Sequence, residues 1–472
     1  MLNYAYYPFS NNLDELQARD LSVLTSVAEG WYIDYKSQPI KTIDFAKHLA
    51  AFANQHGGFL FIGIKENLDT KCAGDFPGIA ISALPNLSIQ IREASSAHIN
   101  PPVMYEEKVL QGPCDEIGLP AGSAILVIGI PKSVNTPHIH SSGRIYRRLA
   151  DHSDPKPETD RHILDELWRR GEEHKIQVSK FLSITPPLPS TQEKSAWIYI
   201  YFRPDENQPN PTRMLSFEEF CEAATNSTKN SGLHIPMDAI YRTQDGFIAR
   251  QTGKNSDNAQ PALTLRWWHG GTARLDIPVN KFSLDVFFNR TDLKYLGMFH
   301  EVLRTRGINN AMIIDYSMLV MICSGLANMY LELLRKIDDK RDIFSSFILK
   351  NVSYTSPYLN SERYVSRVKE FSLPLVAENE IRVPDEPNQS NMFRHKYSLR
   401  EEFSGGDPYG TNTRVGLPIV FATPLFDGIL KSVGAVNSED DWLSDSEVIW
   451  TTKFSELDMS QSKGSDYISI SG

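Results

Sequence analysis

The sequence predicts a mixed α/β protein: an N-terminal α/β domain followed by a mixed β/α region. Three observations lead there. Residues 29–74, EGWYIDYKSQPIKTIDFAKHLAAFANQHGGFLFIGIKENLDTKCAG, read as strand, helix, Gly-Gly turn and strand. A second strongly apolar run, SAILVIGI at 123–130, follows a further helical pattern. After a Pro/Ser-rich break, WIYIYFRP at 197–204 opens a new strand-rich unit.

Asp34 and Lys36 flank Tyr35 on a short strand, so the alternation of strand side chains points both to one face. Residues 42–55 carry Ile43, Ala46, Leu49, Ala50 and Ala53 at the core spacing of a helix. Gly57-Gly58 ends that helix. FLFIGI at 59–64 is continuously apolar, as expected of a strand buried on both faces. Glu66 lies just past its end, where functional groups collect in open α/β sheets. His56, at the helix C-terminus, is expected to favour its charged form and to cap carbonyls there.

Elsewhere, the patterns predict helices over 13–28, 78–98 and 158–173, and strands over 102–110, 123–130 and 145–149. The stretch SITPPLPSTQEKS at 183–195 reads as an extended connection. Beyond it, strands are expected at 197–204, 246–251, 262–268 and 283–288, then a mainly helical stretch over 293–350 and a loop-rich remainder. Trp267-Trp268-His269-Gly270-Gly271 is either a buried strand end or a surface on which bases stack. The predicted organisation is a domain over 1–182, the connection 183–195, a regulatory or partner-binding region over 196–433 and an acidic tail over 434–472.

Composition narrows the function. A net charge of −10 argues against a bulk electrostatic grip on nucleic acid. The tail holds eight acids and two lysines, leaving −4 on the rest. Phosphate contact therefore needs a local patch, for which Arg144, Arg147 and Arg148 are the candidates, with Lys36 and Lys41. Cys72, Cys114, Cys221 and Cys323 are widely spaced, so neither a zinc site nor a disulfide framework is expected. The N-terminal stretch does not read as a signal peptide, and Ala311–Leu334 reads as a core helix because Asp315, Ser317 and Asn328 interrupt it. A cytoplasmic protein without membrane association is expected. No P-loop sequence occurs, so no nucleotide cofactor is expected.

Glu29, Asp34-Tyr35-Lys36, Ala51-Phe52-Ala53-Asn54-Gln55-His56-Gly57-Gly58 and Gly63-Ile64-Lys65-Glu66, with Pro137-His138 and Gly143-Arg144-Ile145-Tyr146-Arg147-Arg148 further on, resemble the motifs of the Schlafen/AlbA-2 family of nucleic-acid-binding domains. The resemblance covers residues 12–165. Asp34 stands where the family has Glu, and Lys65-Glu66 where it has Asp-Asp.

In nuclease members, the resemblance implies, the three acids gather on a concave face and cut RNA with a divalent metal. Glu29, Asp34 and Glu66 would then hold Mg²⁺ or Mn²⁺, and Lys36 a phosphate oxygen. The alternative is a non-catalytic AlbA-2-type DNA-binding protein or transcriptional regulator, with the acids solvated or paired with Arg147 or Arg148. The layout of effector plus C-terminal region is also similar to defence proteins fused to an Argonaute-partner (APAZ) region. That similarity implies antiphage defence, an Argonaute-like partner and oligomerisation on activation.

Overall fold

The computed structural model describes residues 4–436, apart from 12, 150–151, 189, 207–210, 212, 227–234, 236, 253–261, 292, 340, 342, 384–395 and 398–427. The acidic tail beyond 436 and the Ser/Gly/Asp loop at 404–410 lie outside the described residues. Two compact units divide the chain: Met1–Gln177 with Glu206–Asn210, and Val178–Asp205 with Pro211–Gly472.

The first unit is built on a five-stranded sheet. Strand β1 (Ile33–Lys36) runs parallel to β2 (Gly57–Ile62), and helix α1 (Thr42–Asn54) makes the crossover between them. Helix α2 (Leu84–His98) follows, then β3 (Glu106–Gln111) and β4 (Ser123–Pro131). Strand β4 pairs antiparallel with β2 and β3, and the short strand Ile79–Ala80 adds to its start. All six residues of β2 are buried, as its unbroken apolar run predicts.

Alternation sorts the side chains into two cores. Phe45, Leu49, Phe52 and Ile91 from the helices pack on Leu60, Ile62, Leu126 and Ile128. On the opposite face Tyr35, Phe59, Phe61 and Val127 pack under the N-terminal segment with Leu21 and Leu24. That segment consists of two 3-10 turns, Leu13–Glu15 and Ala18–Ser26, rather than the single helix expected over 13–28. A hairpin of β5 (Tyr146–Leu149) and β6 (His152–Pro157) leads to α3 (Arg161–Ser183), which continues ten residues past the predicted end.

The Gly-Gly turn is a matter of clearance as much as of helix ending. A Cβ on Gly57 would sit 2.5 Å from the Lys132 nitrogen, and one on Gly58 2.3 Å from the Tyr32 oxygen. Both glycines also have positive φ, 73° and 150°.

In the second unit β7 (Ala196–Pro204) lies inside an eight-stranded sheet. The chain continues through α4 (Phe217–Asn226), β8 (Ala239–Thr243), β9 (Gly246–Arg250), β10 (Thr264–Trp268) and β11 (Ala273–Val279). Then come α5 (Leu284–Phe288), α6 (Leu296–Thr305), β12 (Met312–Asp315) and α7 (Tyr316–Lys336). Strand β13 (Ile343–Lys350), β14 (Thr355–Tyr358), α8 (Glu362–Glu370) and β15 (Glu380–Val383) complete the labelled elements. The sheet order is β8-β9-β10-β11-β7-β13-β15, with Lys396–Tyr397 also pairing to β13.

Both faces of β7 are covered. Ile198, Ile200 and Phe202 enter the main core, while Trp197, Tyr199 and Tyr201 pack with Val178, Leu182 and Ile348. The Pro/Ser-rich stretch is folded onto this unit rather than standing free, since Leu188 packs on that second cluster and the Ile184 carbonyl accepts from the Tyr201 hydroxyl.

Three local expectations fail here. Leu284–Phe288 is a helical turn, with Asp285 in its first turn, not a strand. The run IFSSFILK, expected to be helical, is strand β13: it is buried on both faces, and an inner strand shows no period-2 pattern. Residues beyond 351 hold regular elements that a loop-rich reading missed. Trp267 is fully buried and Trp268 donates to Asp245, so WWHGG is a strand end. Among the described residues, no helix is long and apolar enough to cross a membrane.

Candidate functional site

Strand β1 is an edge strand, and its open side is occupied by side chains. Glu29 Oε1 accepts from the Tyr35 amide at 2.6 Å. Arg148, reaching across from β5, donates to the Gly30 oxygen at 2.7 and 3.1 Å and to the Ile33 oxygen at 3.1 Å. An unpaired edge invites another strand, and these groups cap it.

Asp34 faces the α1 side of the sheet and is fully buried. Lys36 Nζ lies 2.6 Å from Oδ1, Arg148 NH1 2.9 Å from Oδ2 and His48 Nδ1 2.7 Å from Oδ2. Burial pushes this carboxyl up. His48, Arg148 and Lys36 outweigh it and hold the group well below the usual carboxylate range. The guanidinium of Arg148 also lies over the Phe52 ring, 4.8 Å from its centroid.

Glu29 is the contrasting acid. Its Oε2 is buried without a hydrogen-bond partner. Burial first, then the charge of Asp34, push its pKa up to about 7, against the pull of the Tyr35 amide and Lys36. Near neutrality it is therefore divided between its two protonation states.

The sequence-predicted residues distribute unevenly. Glu29, Asp34 and Lys36 meet at β1. Glu66, on the short strand Lys65–Glu66, ion-pairs with Lys71 at 3.2 Å. The Lys71 oxygen also accepts from the Glu29 amide at 2.7 Å, so one lysine stands between these two acids. Among the described residues, no group of three or more His, Cys, Asp or Glu is arranged to hold a metal. The donor chemistry agrees: Asp34, the middle member of the expected cage, already spends both oxygens on two cations and an imidazole. This arrangement does not fit a three-carboxylate Mg²⁺ or Mn²⁺ site.

Arg148 corrects the expected phosphate patch. It is fully buried and cannot meet a phosphate at the surface. Arg147 pairs with Glu158, while Arg144 and Lys41 are exposed. His56 is corrected as well. Burial, then the charges of Lys132 and Arg170, lower its pKa, and the Asn54 carbonyl at the helix end accepts from Arg170 at 3.0 Å instead.

Two residues gain roles the sequence reading did not assign. His48 is buried in the middle of a helix whose other buried residues, Asn54 at its end apart, are Ala, Leu and Phe, and a polar residue among them was the available signal. Asn54 explains why two distant motifs occur together. Its amide donates to the His138 and Tyr146 oxygens at 3.0 Å each, and its oxygen accepts from the His138 amide at 2.8 Å.

The first unit is thus an α/β domain whose capped edge strand carries an acid–base cluster sealed by an arginine from a later hairpin. The family model described as Schlafen, AlbA_2 matches residues 29–157, the segment that contains the cluster around Asp34. Among solved structures, the chain is similar to the DIP2311 protein from Corynebacterium diphtheriae, with 19% identity over 38% of this chain and a TM-score of 0.22. It spans 36% of that chain. It is also similar to the N-terminal domain of a protein named as ATP-dependent DNA helicase RecG-related, from Nitrosomonas europaea. That match has 21% identity, covers 31% of this chain and 97% of that one, and has a TM-score of 0.21. No curated protein matches the chain.

Proposed function

We propose that this protein binds nucleic acid through its first unit, gripping the sugar-phosphate backbone with a few surface cations. The observation that supports this most is the Schlafen/AlbA_2 match over residues 29–157. Exposed Arg144 and Lys41, with Lys36 part-exposed at β1, are the groups proposed to meet phosphates. About three such contacts on a single strand imply a loss of affinity of about twentyfold between 50 and 200 mM salt. Anisotropy of fluorescein-labelled single-stranded RNA and DNA with the full chain measures this. Arg144→Ala and Lys41→Ala each lower the salt slope by about one contact. Binding that ignores salt, or that both variants leave unchanged, contradicts the reading.

Cleavage of RNA is a second reading, favoured by one observation: the orphaned, near-neutral carboxyl of Glu29 beside Lys36. A carboxyl titrating near pH 7 is suited to take a proton from an attacking hydroxyl. Incubating labelled tRNA and single-stranded RNA with the protein and Glu29→Gln, with Mn²⁺, with Mg²⁺ and with chelator, decides it. The reading expects products from the wild type alone; equal products from both remove Glu29 from the chemistry. Control of the first unit by residues 190–472, an Argonaute-like partner and oligomerisation on activation stand as proposals resting on layout. Mass photometry with and without the neighbouring gene product tests them.

A further inference from the structure

At the end of the sheet where β1 and β2 begin, three rings come together outside the cluster around Asp34. Trp31 is 44% exposed although it is a large apolar residue. Its ring centroid lies 5.8 Å from that of His56 at a tilt of 51°, and that of Tyr32 lies 5.7 Å from His56 at a tilt of 40°. Cations surround this group. Lys132 is exposed, and its backbone abuts Gly57, next to His56. Arg170 is fixed beside His56 by its bond to the Asn54 carbonyl.

We infer that Trp31, Tyr32 and His56 form a base-stacking platform for single-stranded nucleic acid, with Lys132 and Arg170 holding the flanking phosphates. The inference rests on the nucleic-acid reading above and adds to its phosphate contacts a stacking surface and a strand type. Rings bordered by cations suit a single strand, because unpaired bases offer flat faces and the backbone offers charge. An apolar protein partner would instead leave the cations uncompensated on desolvation.

Local charge balance supports the choice. Among the described residues, Glu166 lies 3.9 Å from Arg170 and stands against the two cations Lys132 and Arg170. Burial first, and then the Arg170 charge against that of Glu166, push the Lys132 pKa down, as expected of two cations held near each other. Burial and the same cations lower the His56 pKa, which favours the neutral ring, a π-face that does not repel them.

The test uses the full chain, a fluorescein-labelled 12-nucleotide single strand and an abasic strand of the same length. Trp31→Ala is expected to weaken binding of the base-bearing strand about tenfold, with the salt slope unchanged. Trp31→Phe is expected to restore most of that loss, and the abasic strand is expected to bind both variants equally. Lys132→Ala is expected to reduce the salt slope by about 0.7 for either strand. Wild-type binding that Trp31→Ala leaves intact overturns the platform while leaving the nucleic-acid reading standing. Equal weakening of abasic and base-bearing strands also overturns it, because stacking then plays no part. Failure of the wild type to bind either strand overturns both. Because Trp31 is solvent-facing, an unchanged thermal melt separates these outcomes from misfolding.

Discussion

Asp34, on the edge strand β1, and Glu29, in the bend that precedes it, stand five positions apart and carry the same functional group, yet they are prepared for opposite ends. Asp34 is fully buried, and both oxygens are committed to Lys36, His48 and Arg148. Glu29 is half-buried and spends one oxygen on a backbone amide, leaving the other unpaired. The first carboxyl is held far below its ordinary pKa and the second is lifted to about 7. A satisfied buried charge is a structural element. An unsatisfied one costs stability and so points to a use.

The largest effect should come from opening the closed side. Arg148→Ala takes the fully buried cation from Asp34, leaving it Lys36 and His48, and also uncaps the Gly30 and Ile33 carbonyls. Breaking a buried pair from one side costs about 3–5 kcal/mol, read as a fall in the denaturant midpoint. If the loss is under about 1 kcal/mol, Arg148 is not the seal and the comparison breaks. His48→Gln should cost less, about 1–3 kcal/mol, because Lys36 and Arg148 remain on Asp34.

The open side should respond to pH rather than to truncation. Glu29 has a folded pKa raised above its unfolded value. Its contribution to stability is therefore fully present below the ordinary carboxylate range and is lost as pH rises toward 7. Glu29→Gln imitates the protonated form, so the variant should gain on the wild type in Tm between about pH 4.5 and pH 7 and by no more above it. Asp34 has the reverse sign, its contribution being present above the unfolded value and lost only in acid. A constant Tm difference from pH 4.5 to 8 would show that Glu29 is not shifted.

Much of this was legible in the sequence, and the omissions share a cause. The strand–helix–Gly-Gly–strand order, Asp34 and Lys36 on one face and the two-faced burial of β2 all follow from local periodicity. The destination of Arg148 does not. It lies 114 positions from Asp34, and its burial depends on a hairpin folding over the edge of β1. Glu66 was readable as a strand-end acid, but its pairing with Lys71 comes from a tight return of the chain in which Lys71 itself takes φ of 61°. In the second unit, β13 was misread because an inner strand and a buried helix share a continuous apolar run.

The smallest effect belongs to that outer pair. The Glu66–Lys71 ion pair is largely solvated on the lysine side, so Lys71→Ala should change stability by less than about 1 kcal/mol. A larger loss would mean that Lys71 organises Glu29 through its backbone contact and that the two acids belong to one unit.

The contrast between the two carboxyls can be measured directly by carboxyl-carbon NMR on protein labelled at Glu and Asp, titrated from pH 3 to 9. The Glu29 resonance is assigned by its absence from Glu29→Gln, and that of Asp34 by its absence from Asp34→Asn. The account predicts a Glu29 midpoint near 7 and no inflection from Asp34 across the range. A Glu29 midpoint at or below 5, or an Asp34 that titrates near its ordinary value, would contradict it.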